Sequence, residues 1–158
     1  MTQNPKSGST AVDETVGAAQ APGRLLIRVP LAARWRDLDA FNHVNNASFL
    51  TYLEEARLEW LTGLDTPWVD DNLAPILAAA HVNYRRPIGW PEHLVIELYA
   101  GRVGNSSLTI AHRIVSQRDP GVLYADGHVV MVWIDRRSAR GSALPAGVRA
   151  ACTGAPGA

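Results

Sequence analysis

The chain of 158 residues contains a single cysteine, Cys152. One cysteine cannot form an intrachain disulfide, and it cannot supply a metal site built from several thiolates. This cysteine usage is typical of a reducing cytoplasm. The tail around Cys152, ACTGAPGA, has the composition of a mobile chain end, so we expect Cys152 not to act as a nucleophile.

The sequence also lacks an excess of charge of either sign and any long apolar run. Lys plus Arg number 15, and Asp plus Glu number 15. No global field therefore attracts nucleic acid or an anionic membrane, although a local basic patch can still bind phosphates. No stretch is apolar enough to span a bilayer or to serve as a signal peptide. We predict a cytoplasmic protein with neither a nucleic-acid nor a membrane partner.

Low hydrophobic content at the chain ends predicts the domain boundaries. Residues 1–23 are rich in Ser, Thr, Gly, Ala and Pro, which predicts a disordered tail. Hydrophobic residues make up 47% of the chain, enough for one sizeable core. We predict a single domain over residues 24–148 and a flexible tail over residues 149–158.

Within this domain, hydrophobic periodicity predicts one strand, one long helix and then several strands. The first strand covers 25–35, and Pro30 indicates an edge strand or a bulge. Asn45 or Asn46 can cap the start of the helix, and Gly63 can end it. The later strands cover 73–86, 94–103, 106–116 and 122–134. This order predicts an α+β fold with the helix on one face of an antiparallel sheet.

The predicted helix carries an apolar stripe that includes one charged residue, Arg57. Two glutamates, Glu54 and Glu55, lie mostly off the stripe. We expect both to be solvated, unless Glu54, which has the better spacing, pairs with Arg57.

Asp39 lies seven residues before Asn46, at the expected start of the helix. A helix N-terminus offers free N–H groups and a partial positive charge, which can stabilise an oxyanion. A nearby carboxylate can attack a carbonyl or activate water, and acyl transfer needs both parts. The same residues also fit a plain turn, in which Asp39 and the asparagines serve as caps and His43 is a solvated loop residue.

The string DLDAFNHVNN over residues 37–46, and the helix that follows it, resemble the 4-hydroxybenzoyl-CoA thioesterase family. The string is similar also to that of the plant acyl-ACP thioesterases. The resemblance implies a hotdog fold, in which a long antiparallel sheet curls around a central helix. It implies hydrolysis of a thioester without metal or cofactor. It also implies a homodimer joined edge to edge, with active sites at the interface, or a homotetramer built from such dimers.

The family's catalytic carboxylate corresponds to Asp39, as nucleophile or as general base. The backbone N–H that holds the oxyanion corresponds to Asn46. Asp37 has a spacing that fits less well, and we interpret it as structural. His43 remains a candidate catalytic residue in a supporting role.

The chain departs from the family pattern at two positions. Asn42 stands where the family usually has Gly, and we expect Asn42 to adopt the left-handed conformation that Gly would permit. Phe41 stands where the plant enzymes have Asn, so their Asn–His pair does not carry over to His43.

Coenzyme A carries phosphates, so arginines are the expected substrate-binding residues. Arg85, Arg86 and Arg102 are the candidates by type and position. In the family, the loop that resembles residues 104–107 approaches the pantetheine or the nucleotide. The loop candidates are Asn105, Ser106 and Ser107.

We predict an acyl-CoA thioesterase. The alternatives are hydrolysis of thioesters on an acyl carrier protein, and a hotdog protein that binds acyl thioesters without turnover.

Overall fold

The computed structural model describes residues 23–154, so nearly all of the predicted N-terminal tail lies outside the described residues. Within that range the chain forms five strands, two α-helices and a short 3-10 turn at Trp35–Asp37. The elements are β1 (Leu25–Ala32), α1 (Asn46–Thr62), β2 (Leu73–Tyr84), β3 (His93–Val103), β4 (Ser107–Ser116), β5 (Leu123–Asp135) and α2 (Ala146–Thr153). No helix in the described part of the chain is long and apolar enough to cross a membrane.

The five strands form one sheet in the order β1-β3-β4-β5-β2, and every neighbouring pair is antiparallel. The predicted α+β class is confirmed, and so is the edge position of the first strand. Pro30, which has no N–H to donate, lies opposite Val95 on β3. β1 stops at Ala32 rather than at 35, because Ala33 donates to Glu92 and the chain then enters the 3-10 turn.

Helix α1 begins and ends where the sequence predicts. The Asn45 side chain accepts from the Ala47 N–H at 2.9 Å, and the Gly63 N–H donates back to Glu59. One side of the helix packs on the sheet through Phe49, Tyr52, Leu53, Ala56, Arg57, Trp60 and Leu61. Each large apolar side chain on this face contributes roughly 1.5–3 kcal/mol by leaving water. The helix is thus fixed at both ends and along its length.

The predicted end of the domain at Val148 is too early. Helix α2 continues to Thr153, and Gly154 ends it in the left-handed conformation at φ 74°. Val148 and Cys152 lie four residues apart on one helix face, and both are buried in the core. Burial also raises the pKa of the Cys152 thiol to about 11, so little thiolate forms near neutral pH. Cys152 is a core residue and not part of a mobile tail.

Candidate active site

The loop between Asp37 and Asn45 is held by backbone hydrogen bonds. The Asn45 N–H donates to the Asp37 carbonyl at 2.8 Å, and Leu38 forms a bridge with Val44. The Val44 N–H donates to Ile88 at 2.9 Å, which ties the loop to the segment after β2. The loop therefore enters α1 in one defined orientation.

Asp39 lies at the tip of this loop and is half-buried. Its Oδ1 accepts from the Phe41 N–H at 2.8 Å and, more weakly, from the His43 N–H at 3.4 Å. Asn42 has φ 59°, which confirms the predicted left-handed turn. Among residues 23–154, nothing donates a hydrogen bond to Oδ2. The loop thus orients the carboxylate through one oxygen and leaves the other available for chemistry.

The first N–H of α1, on Asn46, has no acceptor within the described part of the chain. The next two N–H groups are satisfied, because Ala47 donates to the Asn45 side chain and Ser48 donates to the Asn45 carbonyl. The helix dipole places partial positive charge at this end. An unpaired N–H there can donate to a carbonyl oxygen that gains negative charge.

The end of β2 contacts the first turn of α1. The Tyr84 hydroxyl donates to the Asn46 carbonyl at 3.1 Å, and its ring meets that of Phe49 edge to face at 5.1 Å. Sequence reasoning gave Tyr84 no role, although it lies directly before two candidate arginines. Arg85 and Arg86 therefore lie at the same end of the molecule as Asp39.

The two arginines differ in their surroundings. Arg85 donates to both carboxylate oxygens of Asp126, at 2.9 and 3.0 Å, and Asn83 donates to the same carboxylate at 2.8 Å. Burial acts to raise the pKa of Asp126, but the hydrogen bonds from Arg85 and Asn83 outweigh it and hold that pKa below its ordinary value. Arg86 is exposed, and its side chain forms no ion pair with residues 23–154. Arg86 can thus bind a phosphate without first breaking an ion pair, whereas Arg85 cannot.

Asp37 has a different environment from Asp39. Its Oδ2 accepts from the Tyr52 hydroxyl at 2.6 Å and from the Arg34 Nε at 2.8 Å. Burial acts to raise the pKa of Asp37, but these hydrogen bonds outweigh it and lower that pKa. The Tyr52 contact joins the loop to the core and the Arg34 contact holds it to the preceding turn, which supports the structural interpretation of Asp37.

The His43 side chain is exposed, and its ring makes no hydrogen bond to any residue between 23 and 154. It therefore has no orienting partner within the chain. Over the same range, no three His, Cys, Asp or Glu side chains are grouped as metal ligands.

The loop of residues 104–107, predicted to bind the substrate, lies at the opposite end of the sheet from Asp39. Tyr84 pairs with Ala125, and Ala125 pairs with Ile114. Ser107 lies seven residues before Ile114 on β4, which is roughly 23 Å along the strand. Asn105, Ser106 and Ser107 are therefore not near Asp39 within one chain. Arg102, at the same end of β3, is equally remote.

The loop at this far end is anchored by α2. The Arg149 guanidinium donates to the carbonyls of Gly104 and Asn105, at 2.8 and 3.3 Å. The Leu144 N–H donates to the Asn105 carbonyl at 2.9 Å. The β3–β4 loop is thus as firmly held as the Asp39 loop, and the two lie at opposite ends of one chain.

Comparison with known proteins gives the class to which this arrangement belongs. Residues 33–152 match the family described as the thioesterase-like superfamily. The long-chain acyl-CoA thioesterase FadM of Escherichia coli is 30% identical over 125 residues, which cover 78% of this chain and 94% of FadM.

Two solved structures have the same architecture. A Xanthomonas campestris protein described as a candidate acyl-CoA thioesterase is 52% identical, with 72% of this chain and 96% of that chain covered and a TM-score of 0.67. The PA2801 protein of Pseudomonas aeruginosa, described as a candidate thioesterase, is 37% identical, with 81% and 98% covered and a TM-score of 0.77. The antiparallel sheet around a central helix is the hotdog fold. The chain belongs to the thioesterase-like superfamily and is a thioester hydrolase.

Proposed function

We propose that this protein hydrolyses acyl-CoA thioesters, with Asp39 as the reacting carboxylate and the Asn46 N–H as the oxyanion donor. The observation that carries the proposal is the arrangement of one short loop. It fixes Asp39 through Oδ1, leaves Oδ2 unbonded and leads into the unpaired first N–H of α1. FadM is an acyl-CoA thioesterase by name and the Xanthomonas protein is described as a candidate one, which supports coenzyme A as the carrier.

The chemistry follows from these two groups. The thioester carbonyl oxygen accepts from the Asn46 N–H as negative charge develops on it. Asp39 either bonds to the carbonyl carbon, giving a mixed anhydride that water then cleaves, or takes a proton from an attacking water. The C–S bond breaks, and its electron pair leaves on sulfur as the CoA thiolate. A thiol pKa of about 8.5 means that the leaving group needs little help from an acid. The exposed His43 is left with a supporting role in substrate contact or proton transfer.

Coenzyme A would enter at the end of the sheet where β2 meets α1. The proposed phosphate ligands there are Arg86, which forms no ion pair with residues 23–154, and Arg85, which is paired with Asp126. An Arg side chain suits a phosphate because its planar fork can donate two parallel hydrogen bonds.

We propose that the protein is a homodimer joined through β2. The Asn105–Ser107 loop lies roughly 23 Å from the Asp39 end of its own chain, along a strand of ordinary rise. A two-fold axis that pairs β2 with β2 in a second copy places opposite ends of the two subunits side by side. The loop of the second copy would then approach Asp39 and help to bind the pantetheine or the nucleotide. The free, buried thiol of Cys152 fits the cytoplasmic location that we propose.

Thiol release from a panel of acyl-CoAs tests the assignment of Asp39. Asp39→Asn keeps an Oδ1 acceptor for the Phe41 N–H, so the loop should persist. It should lower kcat about a thousandfold, within the range of general-base effects. Asp71→Asn, at an exposed aspartate with no such contacts, is the matched control and should retain full activity.

Three outcomes would contradict the proposal, one in the thiol-release assay and two in matched carrier-protein and binding assays. Equal rates for Asp39→Asn and the unaltered protein would remove Asp39 from the chemistry. Hydrolysis only of matched acyl groups on a carrier protein would replace coenzyme A as substrate, and tight acyl-CoA binding without any turnover would indicate a binding protein.

A single turnover in heavy-oxygen water separates the two roles of Asp39. If Asp39 is the nucleophile and water cleaves the anhydride at the Asp39 carbonyl carbon, the first turnover leaves the label in the Asp39 carboxylate, whereas a general base leaves the label only in the released acid. Mass spectrometry of the peptide that contains Asp39 reads the difference.

A further inference from the structure

A cavity of about 250 Å³ lies between the C-terminal half of α1 and the first half of β2. Its walls are mostly apolar and include Leu61, Trp68, Leu77 and Met131. Three ionic side chains also border it, namely Glu54, Arg57 and Arg136. The cavity therefore suits a small apolar group that also carries a polar atom.

Arg57 is the unusual member of this lining. It is only 7% exposed, yet its guanidinium forms no hydrogen bond or ion pair with residues 23–154. Burial lowers the pKa of Arg57, and the charge of exposed Glu54 only partly opposes that effect. A buried cation without an acceptor costs stability, because it loses water and gains nothing in exchange.

The neighbouring His112 does not balance this charge. It is 2% exposed, and its Nε2 has no partner within the described residues. Burial, followed by the charge of Arg57, lowers the pKa of His112 to about 4, so the ring is neutral at pH 7. It lies opposite Gly127 on β5, where a side chain would meet its Nε2 at 3.0 Å. The region beside Arg57 therefore contains two largely buried polar groups, the Arg57 guanidinium and His112 Nε2, that have no partner within the described residues.

We propose that Arg57 is a specificity residue that binds an oxygen acceptor on the acyl group, so that short acyl chains bearing a hydroxyl or carboxylate are preferred over plain hydrocarbon chains. This inference rests on the proposed function. The apolar walls would hold the hydrocarbon part, and the guanidinium would donate hydrogen bonds to the oxygen, which would be its missing acceptor. In a dimer joined through β2, the cavity lies beside the start of α1 in the second copy, where the thioester reacts.

The kinetic test compares hexanoyl-CoA, 6-hydroxyhexanoyl-CoA and adipoyl-CoA, which share one chain length. The unaltered protein should favour at least one oxygenated substrate in kcat/KM by roughly tenfold to a hundredfold. Arg57→Met should abolish the preference and keep hexanoyl-CoA hydrolysis. Arg137→Met, which removes an exposed guanidinium outside the cavity, should retain the preference. Equal kcat/KM for all three substrates in the unaltered protein would overturn the inference.

A binding measurement separates this inference from the proposed function. The probes are amides, so that the end that is the thioester in the substrate carries no charge. Adipic acid monoamide or 6-hydroxyhexanamide should raise the Tm of the unaltered protein more than hexanamide does, and Arg57→Met should remove the difference. That result would support the subsite even if no thioester were hydrolysed. Equal shifts for all three amides would overturn the subsite even if hydrolysis were normal.

The stability of Arg57→Met distinguishes a ligand from a second copy as the missing acceptor. If the guanidinium awaits a ligand, replacing it with an apolar side chain of similar length should leave Tm unchanged or raise it. If a carboxylate of a second copy pairs with Arg57, the variant should lower Tm and dissociate the dimer, which would overturn the proposal.

Discussion

The two edges of the sheet are built differently. β1 has 8 residues, and both Arg28 and Pro30 lie within it. β2 has 12 residues with its proline, Pro75, near the start, and every residue from Ile76 to His81 is exposed without an Asp, Glu, Lys or Arg among them. Charge, proline and short length protect an edge strand from pairing, whereas a long apolar edge invites it. The β1 edge is thus suited to remain single, and the β2 edge to pair with a second copy.

The largest effect is expected when a charge is placed on one edge or the other. Two exposed residues of similar exposure, one on each edge strand, allow a matched comparison. Ile76 on β2 is 45% exposed, and Leu25 on β1 is 41% exposed. Ile76→Glu should place like charges across the two-fold axis and yield monomers, with kcat/KM about a thousandfold lower because the site loses its second half. Leu25→Glu should leave assembly and activity unchanged.

Sedimentation equilibrium and thiol release together measure both variants. A dimeric, active Ile76→Glu protein would contradict pairing through β2. Dissociation of Leu25→Glu would assign the interface to the other edge.

His112, on the central strand β4, should determine how the free energy of unfolding of each subunit changes as the pH falls. Burial lowers the pKa of His112 to about 4 from an ordinary value of 6.5, so the unfolded chain binds a proton before the folded one does. Stability should therefore fall by about 3 kcal/mol as pH drops from about 6.5 to about 4. Urea unfolding over this range should show the loss, and His112→Met should reduce it. His93→Gln, at the exposed start of β3, should not.

Asp37, in the segment after β1, should contribute to stability rather than to assembly or chemistry. Asp37→Asn weakens the charged hydrogen bonds from Tyr52 and Arg34. It should lower the free energy of unfolding by about 2 kcal/mol. Asp39→Asn, two residues away, should change stability little and activity greatly. If both variants lost only stability, the separation of roles between the two carboxylates would be wrong.

The smallest effect is expected at the turn beside Asp39. Asn42→Ala should cost about 1 kcal/mol, because Ala is strained at φ 59°. Asn42→Gly should stay within about 0.5 kcal/mol of the unaltered protein, since Gly adopts this conformation without strain. Thermal unfolding of the two variants checks that Asn42→Gly is the more stable. A more stable Asn42→Ala would contradict the left-handed turn.

The parts of the site that follow from the sequence are local ones. The Asn45 cap, the left-handed Asn42 and the position of Asp39 before α1 depend on residues within one turn of each other. The spacing of the residues in the motif is therefore enough to predict these three features. The edge position of β1 follows in the same way from Pro30, since proline lacks the donor that a central strand needs.

The parts that did not follow depend on register between distant strands. Arg85 meets Asp126 only because Asn83 pairs with Asp126 across β2 and β5. The hydrogen bond from Tyr84 to Asn46 depends likewise on how α1 lies on the sheet. The sequence predicts a short helix or turn from Leu144 onwards but ends the domain at Val148, because only Val148 and Cys152 mark the buried face of α2, which is too short a pattern for periodicity to detect.

The strand register puts the β3–β4 loop at the opposite end of the sheet from Asp39 in the same chain. If that loop binds the substrate of Asp39, it must therefore come from a second copy, and the central claim is that each active site is shared by two copies. Mixing two inactive variants tests it most directly. One is Asp39→Asn, and the other carries Asn105→Glu and Ser106→Glu, whose carboxylates should repel the CoA phosphates. If each site combines Asp39 of one copy with the loop of another, refolding an equal mixture should restore about a quarter of the unaltered activity, because half the dimers contain one intact site. Activity that stays at the level of the separate variants would contradict the shared site.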